Sequence, residues 1–442
     1  MKTQYEANSL SLTGAVAMGT GVMIGAGIFA LTGQVAQSAG ALFPWAFLVA
    51  AIISGFSAYS YIKMSNAFPS AGGIAMYLRK AYGEGTVTGA AALLMAVSMV
   101  ISESLVARTF GAYTMRLFSV EGGSIFVPIL AVALVFFAFL VNIAGNTVIG
   151  PLQKVTATIK IGGILIFALA ALWISDLPLG SVRGGSVGER GPASFLAGVA
   201  LAILAYKGFT TITNSGGEVK DPHKNVSRAI VISLGICVVV YMAVALAVGA
   251  SLSIPEIIAA RDYSLAEASR PLLGNYGMGF TVIIAVIATT SGIIASMFAV
   301  SRMLAMLTEM QIIPHRHFGM PGSVQKHTLV FTAILAGLLA GFFDLSRIAS
   351  LGAVFYLVMD IIVHWGVLRH VRKEVQANPI ILVSAIVLDL VVLGAFLWVK
   401  GQADLAILWI AFGGIGAVFA FEHFFLRKRR PSNAHREHEP MM

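Results

Sequence analysis

A succession of apolar runs constrains this chain more than any other feature, because each is about the 20 residues needed to cross roughly 30 Å of hydrocarbon. They fall near residues 10–36, 42–65, 84–112, 125–145, 148–175, 193–214, 226–250, 276–303, 327–343, 345–370, 378–399 and 403–426. Lipid offers no partner to backbone N–H and C=O groups, so each run must satisfy its own backbone as a helix. The fold class is an all-α integral membrane protein with twelve transmembrane helices. Of 442 residues, 58% are hydrophobic and only 11% charged, which excludes a water-soluble domain of this size.

Charge placement gives the orientation. Nineteen of the 29 lysines and arginines lie on one side, from Lys2 and Lys63 to the run Arg427-Lys428-Arg429-Arg430. Seven lie on the other, and Arg108, Lys160 and Lys207 fall within spans. The bias places both termini in the cytoplasm of a cell-membrane protein. It also accounts for the net charge of +9 without nucleic acid, the basic run sitting beside anionic lipid. Cys237 is the single cysteine, so there is no internal disulfide and no cysteine-built metal site. The first apolar segment is too long for a signal-peptide core and is read as retained.

Two spans are interrupted. In the first, Gly19-Thr20-Gly21-Val22-Met23-Ile24-Gly25-Ala26-Gly27-Ile28-Phe29 puts several glycines at mid-membrane depth, where they weaken a helix. Close helix packing is the other use for such glycines. In the sixth, Ala205-Tyr206-Lys207-Gly208-Phe209 leads through hydroxyl residues to Glu218-Val219-Lys220-Asp221-Pro222. Corresponding interruptions in two halves point to a transporter binding site built from inverted repeats. Five spans per half is an odd number, so the second half enters the membrane from the opposite side. The chain then divides into a first five-helix repeat (10–175), a second, inverted one (193–370), two accessory helices (378–426) and a basic cytoplasmic tail (427–442).

Gly25-Ala26-Gly27-Ile28-Phe29 resembles the GxGIF signature of the amino acid, polyamine and organocation transporter superfamily. The sixth-span element, and Ser301-Arg302-Met303-Leu304 with Pro314 after it, resemble two further motifs of that superfamily. The resemblance implies a LeuT-like fold of ten core helices plus two, with discontinuous first and sixth helices, working by alternating access. It implies that N–H groups at Gly25, Ala26 and Gly27 hold a substrate carboxylate, and that carbonyls around Ala205 to Gly208 hold an ammonium. Met23, Ile101, Ser102, Tyr206 and Phe209 would line the pocket, with Tyr206 or Phe209 as a lid or as ordinary packing.

Ionisable residues within spans mark functional sites by default. Lys160 lies roughly 9 Å deeper than Lys154 at 1.5 Å per residue. The resemblance places it where sodium-driven relatives hold sodium, touching carbonyls of the first break and Thr290 or Ser291. Burial disfavours its charged form, so it either couples transport to protons or serves as a permanently charged strut. Lys207 departs from the family pattern, and pairing with Glu103 or Asp360 would turn it away from the pocket. Glu103 could instead bind a basic side chain, carry a proton, or neutralise Arg108. Asp360 and His364 share a helix face and read as a proton relay or a mutually satisfied pair. Asp389 and His423 read as structural or oligomer contacts.

No phosphate-binding loop indicates ATP-driven transport, no nucleophile and base constellation indicates an enzyme, and neither a cofactor nor a metal site is expected. His315, Arg316 and His317, and His435 and His438, are weak metal candidates. The chain reads as a secondary carrier of amino acids or related amines, proton-coupled or exchanging. A non-transporting sensor of the same fold is the alternative class.

Overall fold

A computed structural model describes residues 8–70, 72–118, 124–144, 146–174, 182–183, 190–310 and 324–433. Pro314, His315, Arg316, His317, His435 and His438 lie outside the described residues, as do the side chains of Ala26, Lys154 and the Arg427–Arg430 run.

Among the described residues the structure is helical throughout, with one isolated parallel bridge between Leu10 and Val219. The first span is α1 (Leu12–Val22), a π-helical turn (Met23–Ile28) and α2 (Phe29–Ala39). The next four are α3 (Phe43–Ala67), α5 (Thr86–Arg116), α6 (Phe126–Ala144) and α7 (Asn146–Ile174), with the short α4 (Ile74–Tyr82) before α5. The sixth is α8 (Pro192–Tyr206) and α9 (Phe209–Asn214). Then come α10 (Pro222–Ser251), the short α11 (Ile254–Ala259) and α12 (Ser264–Ala268), and α13 (Arg270–Glu309). Last are α14 (Val324–Phe342), α15 (Leu345–Gly366) with a π turn Val367–Val371, α16 (Pro379–Ala403) and α17 (Leu405–Asn433).

All twelve expected runs are therefore helical, with edges moved by a few residues. Proline marks many starts: Pro44, Pro192, Pro222 and Pro379 stand in first turns, where a missing N–H costs nothing. α13 begins before its membrane run because Leu273 and Gly274 kink it, Gly274 taking φ +57°, a conformation that favours glycine. α17 continues to Asn433, beyond the expected end at 426.

Layering follows from composition. α5, α8–α9 and α13 are the most enclosed spans and α17 the least. Phe136 on α6, Trp173 on α7, Ile380 on α16 and Trp409 on α17 are largely exposed, as apolar side chains facing lipid are. The enclosed spans carry or pack against the two interruptions, where the candidate site residues lie.

Candidate functional site

The first interruption does not unwind. Val22, Met23, Ile28 and Phe29 keep helical φ and ψ, and Met23–Ile28 widens into a π turn, a device that often marks functional sites. Its glycines are points of close approach. A Cβ at Gly25 would lie 2.7 Å from the Ala288 carbonyl oxygen and 3.1 Å from Gly292 Cα on α13. At Gly27 it would lie 2.8 Å from Ala205 Cβ and collide with the Tyr241 hydroxyl.

The sixth span breaks differently. Lys207 and Gly208 take ψ near zero (−8° and −13°), and Thr210 N and Thr211 N donate to the carbonyls of Lys207 and Gly208, three residues back. This tight turn presses on the first span: a Cβ at Gly208 would lie 2.6 Å from Met23 Cγ and 3.0 Å from the Gly19 carbonyl oxygen. The two interruptions thus cross in contact. Several carbonyls expected to be free are engaged in this conformation. Ala205 O accepts from the Tyr241 hydroxyl at 3.1 Å, and Lys207 O also accepts from Thr210 Oγ1 at 2.8 Å.

Met23, Ile101, Ser102, Ala205, Tyr206 and Phe209 are all buried. Ile101 and Ser102 come from α5, Ile101 packing near Gly352 of α15. The rings of Tyr206 and Tyr241 are 4.9 Å apart, and Phe209 meets Tyr61 edge-on at 5.2 Å. The hydroxyls of Ser102 and Tyr206 are buried without a hydrogen-bond partner. A buried unpaired hydroxyl is costly, so each is suited to meeting a polar group that arrives from outside the protein.

Lys160 reaches across from α7. Its Nζ donates to the Gly21 carbonyl at 3.0 Å and to Ser291 Oγ at 3.1 Å, which ties α7 to the turn before the first interruption and to α13. The serine supplies the hydroxyl; Thr290 is half-buried beside it. Gly292, one residue on, lets α13 approach Gly21 and Gly25.

The expected intramembrane charge network divides into separate groups. Lys207 Nζ bonds to Ser98 O at 2.9 Å and Ser98 Oγ at 3.1 Å on α5, and sits 5.6 Å from the Tyr356 ring. It forms an ion pair with neither Glu103 nor Asp360, because the carbonyl and hydroxyl of Ser98 lie within its reach and satisfy it. Glu103 is within electrostatic range of Lys207, yet its Oε1 accepts from Ser296 Oγ at 3.2 Å and its Oε2 makes no hydrogen bond. Arg108, half-buried further along α5, lies within electrostatic range of Asp262 and Asp344.

Asp360 and His364 do not simply satisfy each other. Asp360 accepts from Ser57 Oγ at 2.5 Å and the Tyr61 hydroxyl at 2.6 Å, while His364 Nδ1 meets Ser60 Oγ at 2.7 Å. Asp389 turns inward to join them, its Oδ2 lying 3.5 Å from His364 Nε2. His423 stays exposed, its ring against Phe424.

Sequence reasoning missed several participants. Ser98, Ser296 and Tyr356 carry no signal until their partners are known. Ser57, Ser60 and Tyr61 form a polar stripe at helical spacing that could have been read. Glu218 and Arg302 stood in two separate motifs; the fold joins them in a buried ion pair of 2.7 Å, with the guanidinium 3.7 Å over the Phe298 ring.

Residues 10–436 match the family described as "Amino acid permease". The chain is 31% identical to the inner membrane transport protein YbaT of Escherichia coli (strain K12), over 91% of this chain and 93% of that protein. It is 28% identical to the branched-chain amino acid permease BcaP of Lactococcus lactis subsp. cremoris, over 52% of this chain and 53% of that protein. With the mitochondrial cationic amino acid transporter 3 of Arabidopsis thaliana it shares 27% identity, over 80% of this chain and 61% of that one.

Proposed function

The chain belongs to the amino acid permease family, and from that premise we propose that it is a secondary carrier moving amino acids or related amines by alternating access. Its class is transport across a membrane. The observation that carries the finer reading is the crossing of the interrupted spans, Gly208 against Met23 and Gly27 against Ala205. Relatives named for branched-chain and cationic amino acids support the substrate class.

In this reading 10–175 and 193–370 are inverted repeats, and the termini are cytoplasmic. The substrate carboxylate is held at Gly25, Ala26 and Gly27 once the π turn opens and frees their N–H groups, and the ammonium at carbonyls of the sixth-span turn once Tyr241 and Thr210 yield them. Ser102 and Tyr206 supply further polar contacts, while Met23, Ile101 and Phe209 shape the apolar wall. Met23, Ile101, Ser102, Tyr206 and Phe209 are all buried, so in this reading substrate reaches them only when one end of the bundle opens.

Lys160 occupies the place a driving ion would take. Its bonds to Gly21 O and Ser291 Oγ favour the turn geometry of one conformation when the amine is charged. Loss of a proton would weaken both, which supports proton coupling.

The test is uptake of labelled amino acids and polyamines into liposomes carrying the protein, with and without an inward proton gradient. Accumulation that requires the gradient supports symport. Uptake that needs only unlabelled substrate inside supports exchange, with Lys160 as a fixed replacement for sodium. Lys160→Ala should abolish the dependence of uptake on pH; an unchanged profile assigns Lys160 a purely structural role. Gly27→Leu should eliminate substrate binding, since the side chain must invade Ala205 and Tyr241; retained affinity would remove Gly27 from the site.

A further inference from the structure

Away from the crossing, Asp360 and His364 of α15 and Asp389 of α16 converge beneath α3. All three are fully buried. Each presents one potential ligand atom, and these atoms lie within 4.8 Å of one another. We propose that this cluster binds a divalent transition-metal ion of the zinc class.

The distances separate a metal from a proton. His364 Nε2 lies 3.4 Å from Asp360 Oδ2 and 3.5 Å from Asp389 Oδ2. A charge-assisted N–H···O bond is shorter, about 2.7–2.9 Å, so a proton on Nε2 serves neither carboxylate well. An ion held tetrahedrally at about 2.0–2.2 Å from nitrogen and oxygen ligands places them about 3.4 Å apart. Both carboxylates present Oδ2 to the same nitrogen at that separation.

Ligand satisfaction agrees. Both oxygens of Asp389 and the Nε2 of His364 are buried without a hydrogen-bond partner. Around them, Ser60 Oγ holds His364 Nδ1 and Tyr61 holds Asp360 Oδ1, while Ser57 donates to Asp360 Oδ2, the ligand oxygen itself, which keeps a lone pair for the ion. Metal ligands are oriented in this way, the second ring nitrogen and the carboxylate each held by an outer partner. Charge points the same way. His364 is the one basic side chain paired with either carboxylate among the described residues, and the buried amine of Lys207 is engaged by Ser98. Two carboxylates, a neutral imidazole and a divalent cation sum to zero, as a low-dielectric site between helices requires. A water completes four-coordination.

The site fastens α16, an accessory span, to α15 and α3, and Tyr61 links it to Phe209 just after the sixth-span turn. The experiment takes the full chain in detergent, strips it with a chelator and re-equilibrates it with Zn²⁺ or Co²⁺. Metal content is measured by mass spectrometry, and Co²⁺ geometry by visible absorption. One equivalent per chain with a tetrahedral Co²⁺ spectrum is expected. Asp389→Asn, which keeps the shape, should lose it, as should His364→Gln. Ser60→Ala should retain it about 10- to 100-fold more weakly. Failure of the folded wild-type chain to take up either ion overturns the proposal, and so does equal uptake by Asp389→Asn.

Discussion

The two ends of the bundle are closed by different chemistry. At the end that carries the termini, Glu218 and Arg302 form a fully buried ion pair. Around it, Leu10 exchanges backbone hydrogen bonds with Glu218 and Lys220, and Asn214 Oδ1 accepts from Ile74 N. At the far end the ion pair is more exposed. Gln34 donates to Asp262 at 2.9 Å, Gly33 presses on the Arg261 backbone, and Arg116 meets Glu267 at 2.8 Å with both side chains partly exposed. A buried pair is strongly destabilised by losing one member, whereas a surface pair contributes little. The terminal end is thus held by a desolvated pair that is costly to break, and the far end by an ion pair that water can partly replace.

Breaking the buried pair should give the largest effect. Arg302→Met leaves the Glu218 carboxylate in the core, at a cost of about 3–5 kcal/mol, read as lower thermal stability of the purified protein. Glu218→Gln combined with Arg302→Met should restore part of that loss; no recovery would mean that each residue acts through other partners.

A smaller change is expected at the far end. Arg116 also lies 4.3 Å over the Tyr263 ring, so Arg116→Gln should cost about 1 kcal/mol. The loss should shrink as salt screens the pair. Melting curves at low and high ionic strength would show it, and an effect as large as that of Arg302→Met would erase the contrast between the ends.

The smallest effect belongs to the cap of α11, which lies between the seventh and eighth spans. Ser253 and Glu256 form a reciprocal capping box, and the bonds from the Ser253 side chain and backbone hold the Glu256 carboxyl below its usual range. A depressed carboxyl pKa stabilises the fold above its unfolded value near 4.3, and that contribution disappears as pH falls through the folded value. Ser253→Ala should cost about 1 kcal/mol or less at neutral pH, and the gap in melting temperature between wild type and variant should narrow in acid, where only the pH-independent cap on the backbone N–H remains.

Much of the scaffold was legible beforehand. Span number, approximate edges and the positions of both interruptions follow from hydropathy and from Gly25, Gly27 and Gly208. The form of the interruptions was not legible. A run of glycines permits unwinding, yet here the chain stays helical in a π turn, with α13 packed closely on Gly25. Lys160 was legible as a buried amine because no lipid-facing position tolerates one. Lys207 was equally conspicuous, but its partner Ser98 is an unremarked hydroxyl on another helix.

By itself, then, the sequence determined the membrane class, the helices, the two weak points in them and which residues carry charge into the bilayer. These are properties of short segments, set by local hydropathy, proline and glycine. Only the tertiary structure decided that Glu218 meets Arg302, that Lys207 turns to Ser98, and that Asp389 of a peripheral span completes a cluster with Asp360 and His364. Helical spacing fixes which side chains share a face. Which faces meet is settled by the packing of all the helices together, where each buried polar group takes the partner that lies within reach.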